Sequence, residues 1–327
     1  MLGYFRLALS FGVVTSHTHG YLFAQYPNTG LIAVVTFFFV SGYLMPASFQ
    51  ANYRQKSFMS RSSAYLTNRI LRIYPLYWLA LLFTLAVIAV TRSWNEYDIH
   101  LRSLLQNFIL LGLNQDSFWR SDTRLIGPAW TLDVEVQYYV VVPLLILSLE
   151  RFPRVLAGFV VFTIVGGLWL LLHPTGRGEI DRSIVPWAPF FLFGLVVYCW
   201  REWFGALHLL WYATAAAILM VVALFLPWSP RHAEWAWSAV SIVFAARLLT
   251  DKGLGRRRGD RLAGDLAYPV FIFHQPLMIL MGLSVFQFWQ AVALHITAAT
   301  FLAWLAHLIV VAPIEKFRDI NKTAATS

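Results

Sequence analysis

The sequence predicts an all-α fold: a polytopic membrane helix bundle of about ten transmembrane helices, with both termini cytoplasmic. Three observations carry that prediction. First, 59% of the 327 residues are hydrophobic and only 13% are charged, with a mean hydropathy of +0.62; a soluble domain holds about one quarter charged residues. Second, apolar runs that approach the ~20 residues needed to cross a bilayer recur along the chain. Third, the basic residues divide unevenly between alternate connecting segments, as the positive-inside rule requires. The 14 Trp and 14 Tyr add residues suited to membrane-water interfaces.

The first run, 4–22, contains FRLALSFGVVTSHTHG. It is read as a retained helix, because Arg6 is the only charge at its start and no A-x-A-like cleavage site is evident. Arg6 and His17 stand 11 residues apart, which puts them on one helix face with about 16 Å of rise between them. Histidine is suited to take and return a proton near neutral pH; the plainer reading is a packing histidine. An arginine at a span end also has a plain reading, as a snorkelling anchor. His19 is turned about 200° from His17 and is assigned to structure or pocket lining. The second run, 31–50, carries FFFVSGYL, where Ser41-Gly42 permits close helix approach; Ser41 and Tyr43 are candidate pocket residues.

Before the third run, 74–91, the stretch NRILRIYPLYW sets Arg69 and Arg72 on one helix face at the cytoplasmic boundary. Pro75 suits a helix start. Two guanidiniums there can hold phosphates bidentately, or serve as ordinary topological anchors. The short run 101–113 is read as a re-entrant or interfacial helix rather than a span. The fourth run, 129–149, opens with AWTLDVEVQYY. Glu135 lies about two turns in from the outer side, at a depth similar to His17, where a carboxylate can orient an imidazole; a structural ion pair is the alternative. Tyr138 and Tyr139 share the Glu135 face, and Asp133 points elsewhere. Trp130, Asp133 and Tyr138 join the candidate pocket set.

Runs 156–172, 184–200, 206–226 and 234–250 supply four more spans. The ninth, 266–285, overlaps GDLAYPVFIFHQP. It places His274 near mid-membrane between Pro269 and Pro276, whose freed carbonyls are tolerated where a helix lines a cavity. His295 and His307 of the tenth run, 289–312, receive no role.

With the N-terminus inside, eighteen of the 25 Lys and Arg fall on inside segments and seven on outside ones. An even number of spans follows. Residues 1–318 then form a single transmembrane domain, with 319–327 a short cytoplasmic tail and 92–128 a long outward loop. The net charge of +9 reflects basic topological loops, and no nucleic-acid partner is expected. The lone Cys199 excludes an intramolecular disulfide and a cysteine metal cluster, and no metal is expected. The H-x4-D, G-x-S-x-G and H-E-x-x-H patterns are absent, and KGLGRRRGDR has neither P-loop nor dinucleotide spacing. Trp94, Trp119 and Trp187 read as interface anchors, or as platforms for sugar rings.

Taken in order, these segments resemble the acyltransferase-3 family of integral membrane acyltransferases. Arg6 and His17 fit its R-x10-H pattern, and FFFVSGYL looks like its second-helix motif. Arg69-Ile-Leu-Arg72-Ile-Tyr-Pro is similar to its R-x-x-R segment, and Trp130-Thr-Leu-Asp-Val-Glu135 to its W-[ST]-L-x-x-E segment. Residues 264–276 resemble its G-D-x-S-Y-x-x-Y-L-x-H segment, with Ala267 where the family usually has Ser and Pro269 after Tyr268. Pro313-Ile-Glu315-Lys316 is similar to its closing signature.

The resemblance implies transfer of an acyl group, usually acetyl, from cytoplasmic acetyl-CoA to a hydroxyl. The acceptor is usually a carbohydrate: a surface polysaccharide, a lipid-linked sugar or a secreted glycan. Arg69 and Arg72, with the basic 252–261 loop, would hold the coenzyme A phosphates, and the acyl-pantetheine arm would extend into the helix bundle past Arg6. His17 would act as general base or transient acyl carrier, with Glu135 as its partner, and His274 would line the pocket. The resemblance also implies a multi-pass protein of the bacterial cytoplasmic (inner) membrane, bathed in membrane lipids, with a homodimer as one assembly state. Arg outnumbers Lys 21 to 4, which fits a GC-rich bacterial genome.

Two other classes compete. A proton-coupled transporter of a glycan or small metabolite would use the intramembrane His and Glu as a relay; no internal repeat supports it, and it leaves the arginine pair without a task. A non-catalytic scaffold of glycan assembly predicts that His17, Arg69 and Glu135 are individually dispensable. A different membrane O-acyltransferase family with a catalytic histidine would show late Asn and His motifs, which are not apparent.

Overall fold

The computed structural model describes residues 1–18, 28–53, 57–97, 99–111, 113, 124–172, 184–225, 230–251, 258–282 and 287–317. His19, Trp119, the 173–183 loop, the basic residues of 252–257 and the 319–327 tail lie outside them. Every regular element among the described residues is a helix. In chain order these are α1 (Leu2–Thr18), α2 (Thr29–Tyr53), α3 (Phe58–Thr91), α4 (Leu101–Ile109), α5 (Ala129–Arg151) and α6 (Pro153–Leu172). There follow α7 (Ile184–Cys199), α8 (Arg201–Ala206), α9 (Leu209–Phe225), α10 (Pro230–Thr250), α11 (Arg258–Met281) and α12 (Phe288–Ala306). The last continues through a π-helical turn, His307–Val311, as far as Phe317. Among the described residues, each of the ten apolar runs overlaps a helix. Of these, α2, α3, α5 and the extended α12 are individually long and apolar enough to cross a membrane, while α6, α7 and α9 are shorter apolar helices.

The third helix starts well before its apolar run. Ser57 caps it, its hydroxyl accepting from the Ser60 N–H. Its buried residues Arg61, Tyr65, Arg69, Ile73, Leu76 and Tyr77 recur every three or four positions, so one inward face runs unbroken past Pro75. Pro75 is therefore inside α3 and does not begin it. Hydropathy marks only the part of this helix that is apolar on all sides; packing holds the rest.

Two tight crossings set the bundle. Gly3 of α1 lies directly against the Asp260 carbonyl and Gly264 of α11, where a Cβ would collide. The Asp260 carboxylate, itself on α11, accepts from the first-turn N–H groups of Gly3 (2.9 Å) and Tyr4 (3.1 Å), capping α1 from its neighbour. On the other side, Gly42 of α2 abuts the backbone at Phe191 of α7, and Gly194 abuts the Phe39 carbonyl. Small residues of this kind let membrane helices approach to backbone contact.

The short helix α4 packs against α3. It doubles back along α3 to the level of Tyr74 and Trp78, roughly 20 Å from the Thr91 end at 1.5 Å per residue. There Tyr74 Oη donates to the Ile109 carbonyl, and Trp78 Nε1 donates to the Phe108 carbonyl at 2.9 Å. The Trp78 and Phe108 rings stack at 5.1 Å. Carbonyls at a helix end have no partner within the helix, and these side chains supply one. Beyond it, Leu125 N–H donates to Asn107 Oδ1 at 3.1 Å, and Gly127 N–H donates to Gln275 Oε1 of α11.

Candidate active site

Helices α1, α2, α3, α5 and α11 enclose a cavity with about 100 Å³ of free room. Its polar part is formed by Arg6, Ser41, Arg69, Arg72, Glu135 and Tyr268. Its apolar part is formed by Phe37, Phe38, Leu132 and Phe271. The register along α2, α5 and α11 stacks these parts one above the other, with the apolar part displaced toward the His17 end of α1.

Each polar group has an identifiable support. Ser41 Oγ donates to Glu135 Oε1 at 3.0 Å. Arg69 is buried on the inward face of α3, its guanidinium 5.1 Å from the Tyr65 ring and 5.7 Å from the Tyr139 ring, a stacking that suits a weakly hydrated planar cation. Arg72 is more exposed and also lines a second, smaller cavity with Asp265 and Glu315. Tyr268 Oη donates to the Ile73 carbonyl at 3.1 Å. Arg6 lies within electrostatic range of Arg72, Glu135 and Asp265. Three guanidiniums thus face two carboxylates, and the cluster retains a positive balance that suits an anionic ligand.

A second cluster lies toward the other end of α1. His17 is exposed, and its Nδ1 sits 2.9 Å from the Val13 carbonyl. Its ring is 5.0 Å from that of His274. His274 is fully buried, with Nδ1 2.6 Å from the Phe271 carbonyl. His295 of α12, also fully buried, reaches the His274 carbonyl with Nε2 (2.7 Å) and Thr18 Oγ1 with Nδ1 (2.8 Å). A carbonyl oxygen only accepts, so neutral His17 and His274 both carry their proton on Nδ1 and leave Nε2 with a lone pair. Phe271 joins the two clusters: it walls the arginine cavity, and its ring lies 6.2 Å from that of His274.

Of the residues singled out from the sequence, the structure brings Arg6, Ser41, Arg69, Arg72 and Glu135 together, and separately His17 and His274. The expected contact between His17 and Glu135 is not formed. Glu135 bonds Ser41 and belongs with Arg6, which is about three helical turns from His17. The reason is the depth of α5. Gly127, just before it, is bonded to Gln275 beside His274, so its first turn already lies at the histidine level and Glu135 lies about two turns below.

Four pocket candidates are packed elsewhere. Tyr43 meets Tyr198 edge-on at 5.6 Å, and Trp130 packs on Trp187 at 5.3 Å. Tyr138 stacks on Phe191 at 4.2 Å. Asp133 is fully buried, accepts from Gln137 Nε2 at 3.0 Å, and lies within electrostatic range of Tyr77 on α3. Trp187 is a core residue rather than an interface anchor. Conversely, Tyr139, Tyr268, Phe271, Thr18 and His295 were not selected from the sequence. Tyr139 was legible as the i+4 neighbour of Glu135. The Thr18–His295 contact joins residues 277 positions apart and leaves no local signal.

A family model described as an acyltransferase domain matches residues 2–314. An uncharacterised protein of Haemophilus influenzae is 30% identical over 137 residues, which is 39% of this chain and 55% of that protein. The match thus spans about half the length of this curated relative. No solved structure matches the chain.

Proposed function

We propose, from the premise that this chain belongs to the acyltransferase-3 family, a donor, an acceptor and a centre for its reaction. The protein is a membrane acyltransferase. The donor is an acyl-CoA, in the simplest case acetyl-CoA. The acceptor is a hydroxyl of a carbohydrate in a surface, lipid-linked or secreted glycan, which makes the enzyme an O-acetyltransferase. Residues 1–318 act as one domain that crosses a bacterial inner membrane ten times, with both termini cytoplasmic.

The observation that carries this reading is the pairing of the two clusters. Three arginines on α1 and α3 face one cavity, and its far wall, Phe271, adjoins the histidine pair. Arg69 and Arg72 suit phosphate groups, and the apolar part beyond them suits an acyl-pantetheine arm. The rise of about 16 Å from Arg6 to His17 suits that arm in extended form.

His17 Nε2, free because Nδ1 is committed to Val13, is the working atom. As general base it takes the acceptor's proton while the hydroxyl oxygen bonds the thioester carbon. The carbon–sulfur bond breaks, and the proton passes from His17 to the departing sulfur. As carrier, Nε2 bonds the acyl carbon as the carbon–sulfur bond breaks and coenzyme A leaves as thiolate; the acceptor hydroxyl then bonds that carbon as the carbon–Nε2 bond breaks, and its proton goes to the thiolate. Glu135 does not orient His17 in either route; its place is among the arginines.

The test uses isolated membranes, acetyl-labelled coenzyme A thioester and the variant His17→Ala. Label moves into glycan and free coenzyme A appears with the wild type, and both are lost in the variant, by at least ~10²-fold. Equal transfer in both proteins removes His17 from the reaction. A wild type that releases no coenzyme A with any glycan acceptor favours a transporter.

A further inference from the structure

Three features of the histidine cluster go beyond the reading of His17 as the working centre. His274 is buried to 0% exposure, yet its Nε2 has no hydrogen-bond partner among the described residues. A buried lone pair without a partner is costly and rare, and it asks for a reason. Its ring centre lies 5.0 Å from that of His17, with the two planes tilted at 53°. Both rings are turned the same way by main-chain carbonyls, Val13 for His17 and Phe271 for His274. Each therefore presents a bare Nε2, and neither neutral ring has an Nε2–H to offer the other.

The situation changes when His17 gains a proton. His17 Nε2 then becomes a donor, and His274 Nε2, on a ring centred 5.0 Å away, is an acceptor without a partner among the described residues. The third histidine acts as a strut. His295 Nε2–H donates to the His274 carbonyl, while its Nδ1 pairs with Thr18, the residue next to His17 on α1. Helices α1, α11 and α12 are thereby tied together at the turns that carry the two rings. The separation of the rings is a built feature of three helices, not a chance approach of two flexible side chains.

We propose that His274 is a positioning residue for the transfer: its unpartnered Nε2 receives the hydrogen bond of protonated His17 and holds the imidazolium formed when the acceptor hydroxyl, or water, gives up its proton. The inference rests on the reading of His17 as the base. The proton's path is closed, because it moves from the attacking hydroxyl to His17 Nε2, is shared there with His274 Nε2, and leaves with the coenzyme A sulfur. His274 itself keeps its Nδ1 proton on Phe271 throughout.

The amide side chains test this atom by atom. Gln at position 274 sets an acceptor oxygen near the place of Nε2. Asn sets its amide near Nδ1, where it can still donate to Phe271, but has nothing at Nε2. The assay is release of free coenzyme A from acetyl-CoA by the purified full-length protein in detergent, with water as acceptor, alongside melting temperatures. His274→Asn and His274→Phe lower kcat by about 10²-fold, the scale of a lost proton-transfer aid. KM for acetyl-CoA changes by less than about twofold, since His274 does not line the arginine cavity. His274→Gln recovers at least about tenfold over His274→Asn.

A His274→Asn enzyme that cleaves as fast as the wild type overturns the proposal. So does a folded His274→Gln that is no faster than His274→Asn. Failure of the underlying reading looks different. Wild-type protein that cleaves no acetyl-CoA, or a His17→Ala enzyme as fast as the wild type, removes the base and this inference with it.

Discussion

Arg69 and Arg72 are three residues apart, yet they do different work. Arg69 is 8% exposed, and its guanidinium lies over Tyr65 and Tyr139; a point anchor at a membrane surface would not be buried on aromatic faces. Arg69→Lys keeps the charge and loses the planar fork. It raises KM for acetyl-CoA about tenfold, with kcat changed less, as measured by coenzyme A release at varied donor concentration. Glu135 offers a complementary test. Glu135→Gln retains an acceptor for Ser41 but removes a negative charge from among three arginines. Thermal melting in detergent shows a loss of about 1–3 kcal/mol, larger than the ~1 kcal/mol expected for Ser41→Ala.

The tightest helix crossings here are made through small residues and bridging side chains, because lipid is as apolar as a leucine and apolar surface alone does not drive association. The α2–α7 crossing is the clearest instance, with Gly42 and Gly194 each against the other helix's backbone. Gly42→Leu or Gly194→Leu forces the pair apart and costs at least about 1–3 kcal/mol. The expected result is a lowered melting temperature and poor recovery of folded protein, with Gly158→Leu, which meets no neighbour within 4 Å, as the neutral control. For α4 the bridging side chains decide. Trp78→Phe keeps the ring stack on Phe108 but frees its carbonyl, a loss of about 0.5–1.5 kcal/mol. Faster hydrogen exchange of the 106–110 amides, with the ends of α3 unchanged, is the readout.

At the scale of the whole molecule, the proposed ten crossings make a topological prediction. In a Cys199→Ser background, Trp94→Cys reacts with an impermeant maleimide from outside intact cells, and Phe317→Cys reacts only after the membrane is opened. Labelling of both from one side removes the proposed orientation. The helices themselves, the basic asymmetry, and Arg6, His17, Arg69, Arg72, Glu135 and His274 as polar residues needing explanation were all legible in the sequence. Those features depend on composition and on spacing within one helix, and both are local. Only the tertiary structure decided who meets whom. Glu135 joins Ser41 and the arginines instead of His17, and Tyr139 faces the cavity while Tyr138 stacks on Phe191. Thr18 reaches His295 across 277 residues to fix the histidine pair. These outcomes depend on how far each helix slides along its neighbour and how it turns about its axis. Contacts between Gly3 and Asp260, Gly42 and Phe191, and Gly127 and Gln275 set both quantities, and periodicity along a single chain carries no record of them.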